Sequence, residues 1–123
     1  MQIELWSEVW QELQTGLMNL PRCPEHPQYP CVRTLAQGVV NDIVGVSSEE
    51  VKVKSHRTRA TDSIEASRFK RWWNHLVAEG SASLRPGDSN NPDPYRSRIV
   101  GAILAACLPD KIKVENSATI KLV

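Results

Sequence analysis

Proline placement is what most limits the folds open to this chain. Eight prolines are present, and seven fall in two clusters: Pro21, Pro24, Pro27 and Pro30, then Pro86, Pro92 and Pro94. Each proline fixes φ and removes a backbone donor, so no helix runs through either cluster. Regular structure is therefore expected in three pieces, residues 1–20, 31–85 and 95–123.

In the first piece Ile3, Trp6, Trp10, Leu13, Leu17 and Leu20 recur at spacings of 3, 4, 3, 4 and 3. That is the apolar stripe of an amphipathic helix, with Glu4, Glu8 and Glu12 turned outward. The stripe is too short for a coiled coil, so its first reading is a core helix. A second copy or another protein would dock through Ile3, Trp6, Trp10, Leu13 and Leu17 if the stripe were left uncovered. Residues 21–30 read as an irregular extended connector.

The middle piece predicts a second helix from Val32 to Ile43, with Val32, Leu35, Ala36, Val39, Val40 and Ile43 on one face and Gly45 as its stop. Residues 50–58 alternate, with Val51, Val53 and Ser55 on one side and Lys52, Lys54 and His56 on the other, which is strand periodicity. From Ser67 to Glu79, Phe69, Trp72, Trp73, Leu76 and Val77 follow the helical template, and Gly80 caps it. Residues 80–94 form a long turn-rich loop. Asp93-Pro94 then supplies an N-cap and first-turn proline for a helix to about Leu108. Residues 112–123 alternate as a β-hairpin.

The expected fold is α+β, a single compact domain over residues 1–123 with about four helices, a small antiparallel sheet and a C-terminal β-hairpin. Two helices followed by a hairpin also admit a winged-helix-like arrangement, although the last helix is mostly apolar beyond its first turn. At 123 residues and 13.8 kDa the chain can bury one core.

Charge is sorted along the chain. Residues 1–50 carry two basic and seven acidic side chains, a net of −5, while residues 51–98 carry ten and five, a net of +5. The whole is only +1. An acidic helical half, 1–45, is thus followed by a basic α+β half, 46–123. Such sorting points to an anionic partner for one face. The candidate nucleic-acid-binding residues are Lys52, Lys54, His56, Arg57, Arg59, Arg68, Lys70 and Arg71, with Arg85, Arg96 and Arg98 as further cations. Arg96 and Arg98 fall at the positive end of a helix dipole, where a cation is disfavoured unless an anion sits there. The expected function is a nucleic-acid-binding or accessory module, DNA ahead of RNA. The alternative is a protein-interaction or regulatory subunit docking through the first helix or the basic face. The helical phase of Trp72 and Trp73 assigns both to the core and not to base stacking.

No phosphate-loop, dinucleotide, serine-hydrolase or zinc-protease motif is present, so a non-catalytic role is expected. Cys23, His26 and Cys31 offer a weak zinc pattern without the paired C-x-x-C knuckles; otherwise no cofactor is implied. No apolar run is long enough to cross a bilayer, and three cysteines cannot all pair within one chain. A cytoplasmic protein with reduced thiols and no membrane partner is the expectation.

Overall fold

The apolar stripe of the first piece forms helix α1, Trp6–Met18, whose Val9, Trp10, Leu13 and Leu17 are buried. The computed structural model describes residues 5–24 and 26–123, so Ile3 lies outside the described residues. Strands β1 (Arg22–Cys23), β2 (His26–Arg33), β3 (Val40–Val46), β4 (Glu50–Ser55) and β5 (Thr61–Glu65) follow. They pair in sequence order as one antiparallel sheet. Helix α2 (Ala66–Glu79) leads into β6 (Ser81–Ser83); helix α3 (Ser97–Cys107) precedes β7 (Ile112–Asn116) and β8 (Thr119–Leu122). The last three strands form a second antiparallel sheet in the order β6-β8-β7. The fold is α+β.

Three helices are found among the described residues, not four. The helix expected over Val32–Ile43 is replaced by the end of β2, a turn and β3, with Cys31 opposite Asp42 and Arg33 opposite Val40. Val39, Val40, Ile43, Val44 and Val46 are β-branched and stiff at χ1, which favours a pleated strand over a helix. The turn is built in as well. Thr34 Oγ1 accepts the Val39 amide at 2.9 Å, and Gly38 takes φ +63°, a conformation that costs glycine nothing.

The proline-rich connector is also more regular than expected. Pro27 and Pro30 lie in β2, where the neighbouring strand is the two-residue β1 at the sheet edge. Missing proline donors are tolerated there. The terminal hairpin is no free wing, because β8 sits between β6 and β7. Helix α3 is buried along nearly its whole length, from Ile99 to Leu104 and again at Cys107. It has no face left to enter a groove, and the winged-helix-like arrangement is not seen.

One cluster of buried side chains joins α1, α2, α3 and both sheets. Val32, Ile43, Val51, Val53 and Ile64 supply the inner face of the large sheet, while Phe69, Trp72 and Leu76 come from α2. Helices α1 and α3 touch at Gly16, where an added Cβ would lie 2.8 Å from the Cys107 Cβ. At Gly101 an added Cβ would fall 2.2 Å from Leu84 Cδ2, so the first half of α3 is seated directly on Leu84.

Candidate functional site

Alternation in β4 decides where its lysines go. Val51 and Val53 face the core beneath the helices, so Lys52 and Lys54 point from the opposite side of the sheet, both exposed. Lys52 Nζ lies 3.9 Å from Glu50 Oε1. His56 Nε2 is 2.9 Å from Oδ1 of the buried Asp42.

The arginines of α2 have an internal partner. Arg68 Nη1 donates to both carboxylate oxygens of Asp93, at 3.0 and 2.8 Å, and Arg71 Nη1 donates to Asp93 Oδ2 at 2.9 Å. Asp93 is 3% exposed, and its Oδ1 also accepts the Tyr95 amide at 3.1 Å. The Arg68 guanidinium lies 4.1 Å from the centroid of the Tyr95 ring, a cation–π contact. These bonds fasten the loop before α3 to α2. Asp93 is therefore the loop's anchor and not the cap expected for α3, which begins only at Ser97. Lys70 is exposed on α2, and Arg85 borders a separate small hollow with Asp88 and Asn90. The strand lysines and the α2 arginines, expected to share one surface, are thus divided by the sheet.

A different group of cations converges. Between the 34–39 turn, the end of β4, the 56–60 turn and the start of α3 lies a cleft of about 340 Å³. Arg57, Arg96 and Arg98 line it, together with Thr34, Asn41, Ser55, Thr58 and Asp62 on its polar side and Val39, Val53 and Ile99 on its apolar side. Arg57 Nη1 donates to Gln37 Oε1 at 3.0 Å, and Arg96 Nη2 lies 2.5 Å from Asp62 Oδ2. Arg98 is half-buried and has no side-chain partner among the described residues. Arg96 is the residue preceding α3 and takes φ +50°, ψ +33°, which is strained for a residue with a Cβ. No side chain caps the first-turn amides of α3. An arginine at that positive dipole end, half out of water and without a carboxylate, is electrostatically incomplete.

The cysteines take no part in the cleft. Cys23 and Cys31 form a disulfide with their Cα atoms 5.8 Å apart, which corrects the expectation of reduced thiols. The β1–β2 hairpin brings them together, a proximity that spacing in the sequence does not reveal. Both sulfurs are consumed, so they are not thiolate ligands in this state, and the His26 side chain lies outside the described residues. Among the described residues, no three His, Cys, Asp or Glu side chains gather as a metal site. Burial pushes the Cys107 thiol up to about 12, leaving it protonated and a poor nucleophile at neutral pH. Trp72 and Trp73 are buried, so neither ring is available for base stacking. Trp10, Leu13 and Leu17 are likewise spent on the core, leaving Trp6 half-exposed beside Trp10 at a centroid distance of 5.8 Å. Among the described residues no helix is long and apolar enough to cross a membrane.

No family model matches the chain, and neither a curated protein nor a solved structure matches it.

Thr34, Asn41, Ser55, Thr58 and Asp62 belong to the cleft, and nothing in the sequence alone joins them to its arginines. Reading 32–43 as a helix hid the first two. The run of β-branched residues from Val39 to Val46 was the available signal for a strand there. For Asp62 no local signal exists, since its partner Arg96 is far along the chain.

Proposed function

We propose that this protein binds nucleic acid through phosphate contacts centred on Arg57, Arg96 and Arg98, with DNA the first ligand to test and RNA the second. The observation that carries the reading is Arg98, half-buried in a cleft lined by three arginines and one carboxylate, and without a side-chain partner among the described residues. Arginine forks match phosphate oxygens, and a bound phosphate would complete the electrostatics at the start of α3. Arg59 is exposed on the same turn as Arg57, whereas Lys54 points from the other face of the sheet. Arg68 and Arg71, bonded to Asp93, serve the scaffold in this reading.

A cytosolic location, expected from the sequence, would put the Cys23–Cys31 bond under reducing conditions, whereas such bonds persist in oxidising ones. Neither cysteine lines the cleft, so the binding reading stands apart from location.

Binding to mixed-sequence oligonucleotides at several salt concentrations tests the reading. Removing two phosphate contacts lowers the slope of log K against log salt by about 1.4 on single strands and about 1.8 on duplex. That loss is expected for Arg57→Gln with Arg98→Gln, while Arg68→Gln with Arg71→Gln leaves the slope nearly unchanged. Identical slopes for wild type and the Arg57/Arg98 double variant would refute it.

A further inference from the structure

We propose that the cleft takes a terminal phosphate, a phosphomonoester carried either by a free nucleotide or by the end of a nucleic-acid strand. Only the second source rests on the nucleic-acid reading above.

Size is the first constraint. A volume of about 340 Å³ is at the small end of ligand pockets, which run from about 300 to 1,000 Å³. It accommodates one phosphorylated unit and not the body of a duplex. Charge is the second. Three arginines and one aspartate give the lining a formal charge of +2, from +3 and −1. A phosphomonoester carries about −1.5 to −2 at pH 7, whereas an internal phosphodiester carries one negative charge. The terminal group is the better match.

Hydrogen-bonding capacity is the third constraint, and it does not depend on the helix start. Asn41 is 6% exposed, lines the cleft, and among the described residues its side chain makes one hydrogen bond, a long 3.4 Å donation to the Val39 carbonyl. The hydroxyl oxygens of Thr34, Ser55 and Thr58 already accept backbone amides, at 2.9 Å from Val39, 3.2 Å from Arg57 and 3.2 Å from Ala60. Each keeps its O–H hydrogen to donate. Three guanidiniums, the Asn41 amide and three hydroxyls can thus donate to the three acceptor oxygens of a phosphomonoester. Val39, Val53 and Ile99 give an apolar wall for the sugar or base attached to that phosphate.

The test compares one single-stranded oligonucleotide with a 5′-phosphate, a 3′-phosphate or hydroxyls at both ends, alongside a nucleoside monophosphate, by fluorescence anisotropy and competition. At least one phosphorylated end should bind ten-fold or more tighter than the hydroxyl-ended strand. Arg98→Gln should erase that difference, and Arg57→Gln, on an exposed turn, provides a second variant should the first fail to fold. Equal binding of all three strands, with the salt dependence retained, would overturn the terminal-phosphate inference and leave the nucleic-acid reading intact. Binding of the monophosphate without any strand would support the cleft inference and overturn the nucleic-acid reading. No binding of strand or monophosphate would overturn both.

Discussion

Arg68 and Arg71 close on a buried carboxylate, whereas Arg57, Arg96 and Arg98 surround a cleft holding one carboxylate for three guanidiniums. The residue type is the same in both places, and the surroundings assign opposite uses. At Asp93 both guanidiniums are hydrogen-bonded to one carboxylate, the aspartate is dry, and a long loop is pinned to a helix. At the cleft one arginine is paired with Asp62, one donates to a neutral amide oxygen, and one has no side-chain partner among the described residues. A cation count in a sequence window cannot separate the two, because what matters is the position of the nearest carboxylate in space. Binding capacity lies where the positive charge exceeds the local means of neutralising it.

The sharpest way to break this contrast is to remove Asp93. Truncating one partner of a buried ion pair costs about 3–5 kcal/mol when the orphaned charge stays buried. Here the Arg68 and Arg71 side chains keep 30% and 55% exposure and can rehydrate, so Asp93→Ala should cost about 2 kcal/mol. It should also release two arginines and raise the salt dependence of oligonucleotide binding. Urea denaturation measures the first effect and a salt titration the second. A stability loss below about 0.5 kcal/mol, the scale of an ordinary surface substitution, would mean that the pairing is no anchor and that the two clusters do not differ in kind.

A somewhat smaller effect probes how rigidly the cleft is held. Leu84 is 1% exposed and lies against Gly101, and its carbonyl accepts the Ser97 hydroxyl at 2.8 Å. Gly101→Ala would drive a methyl group into the Leu84 side chain. Leu84 cannot swing into solvent, so the loop it belongs to must move away from α3, and Pro86 of that loop lines the cleft. Overpacking of this kind costs about 1–3 kcal/mol. We expect about 1.5 kcal/mol in thermal or urea unfolding, with weaker binding of a phosphorylated strand. Unchanged binding at reduced stability would show that the cleft does not depend on how α3 is seated.

How much of this was legible beforehand depends on the range of the interaction. The stripe in α1 and the pattern of α2 are set by neighbours three and four residues apart, and both helices form where the periodicity puts them. The terminal hairpin was equally readable from alternation and a turn. Residues 32–43 failed because their apolar spacing fits a helix, while strand preference came from β-branching and a Thr34–Gly38 turn that periodicity does not weigh. The candidate site was half legible. Arg96 and Arg98 stood out by breaking the helix-dipole rule, a local signal. Arg57 could not be joined to them without the tertiary fold, and Asp93 read as a cap because a short polar residue before Pro94 satisfies that pattern equally well.

Strain offers the finest test of the same comparison. Arg59 and Arg96 are the non-glycine residues with positive φ among those described, at +60° and +50°. Arg96 is held by its ion pair with Asp62 and lines the cleft; Arg59 is exposed on a turn, with no side-chain partner among the described residues. Left-handed backbone costs an L-residue about 1–2 kcal/mol, which glycine avoids at an entropic cost of about 0.5–1 kcal/mol. Arg59→Gly should therefore stabilise the fold by about 0.5 kcal/mol, read as a small rise in urea midpoint, with the preference for a phosphorylated end preserved. Arg96→Gly relieves the same strain and should nonetheless abolish that preference, because it removes a guanidinium from the cleft and frees Asp62 to repel an anion. If the two glycine variants behave alike in binding, the strained backbone at Arg96 has no tie to the ligand, and the cleft's claim to it falls to Arg57 and Arg98 alone.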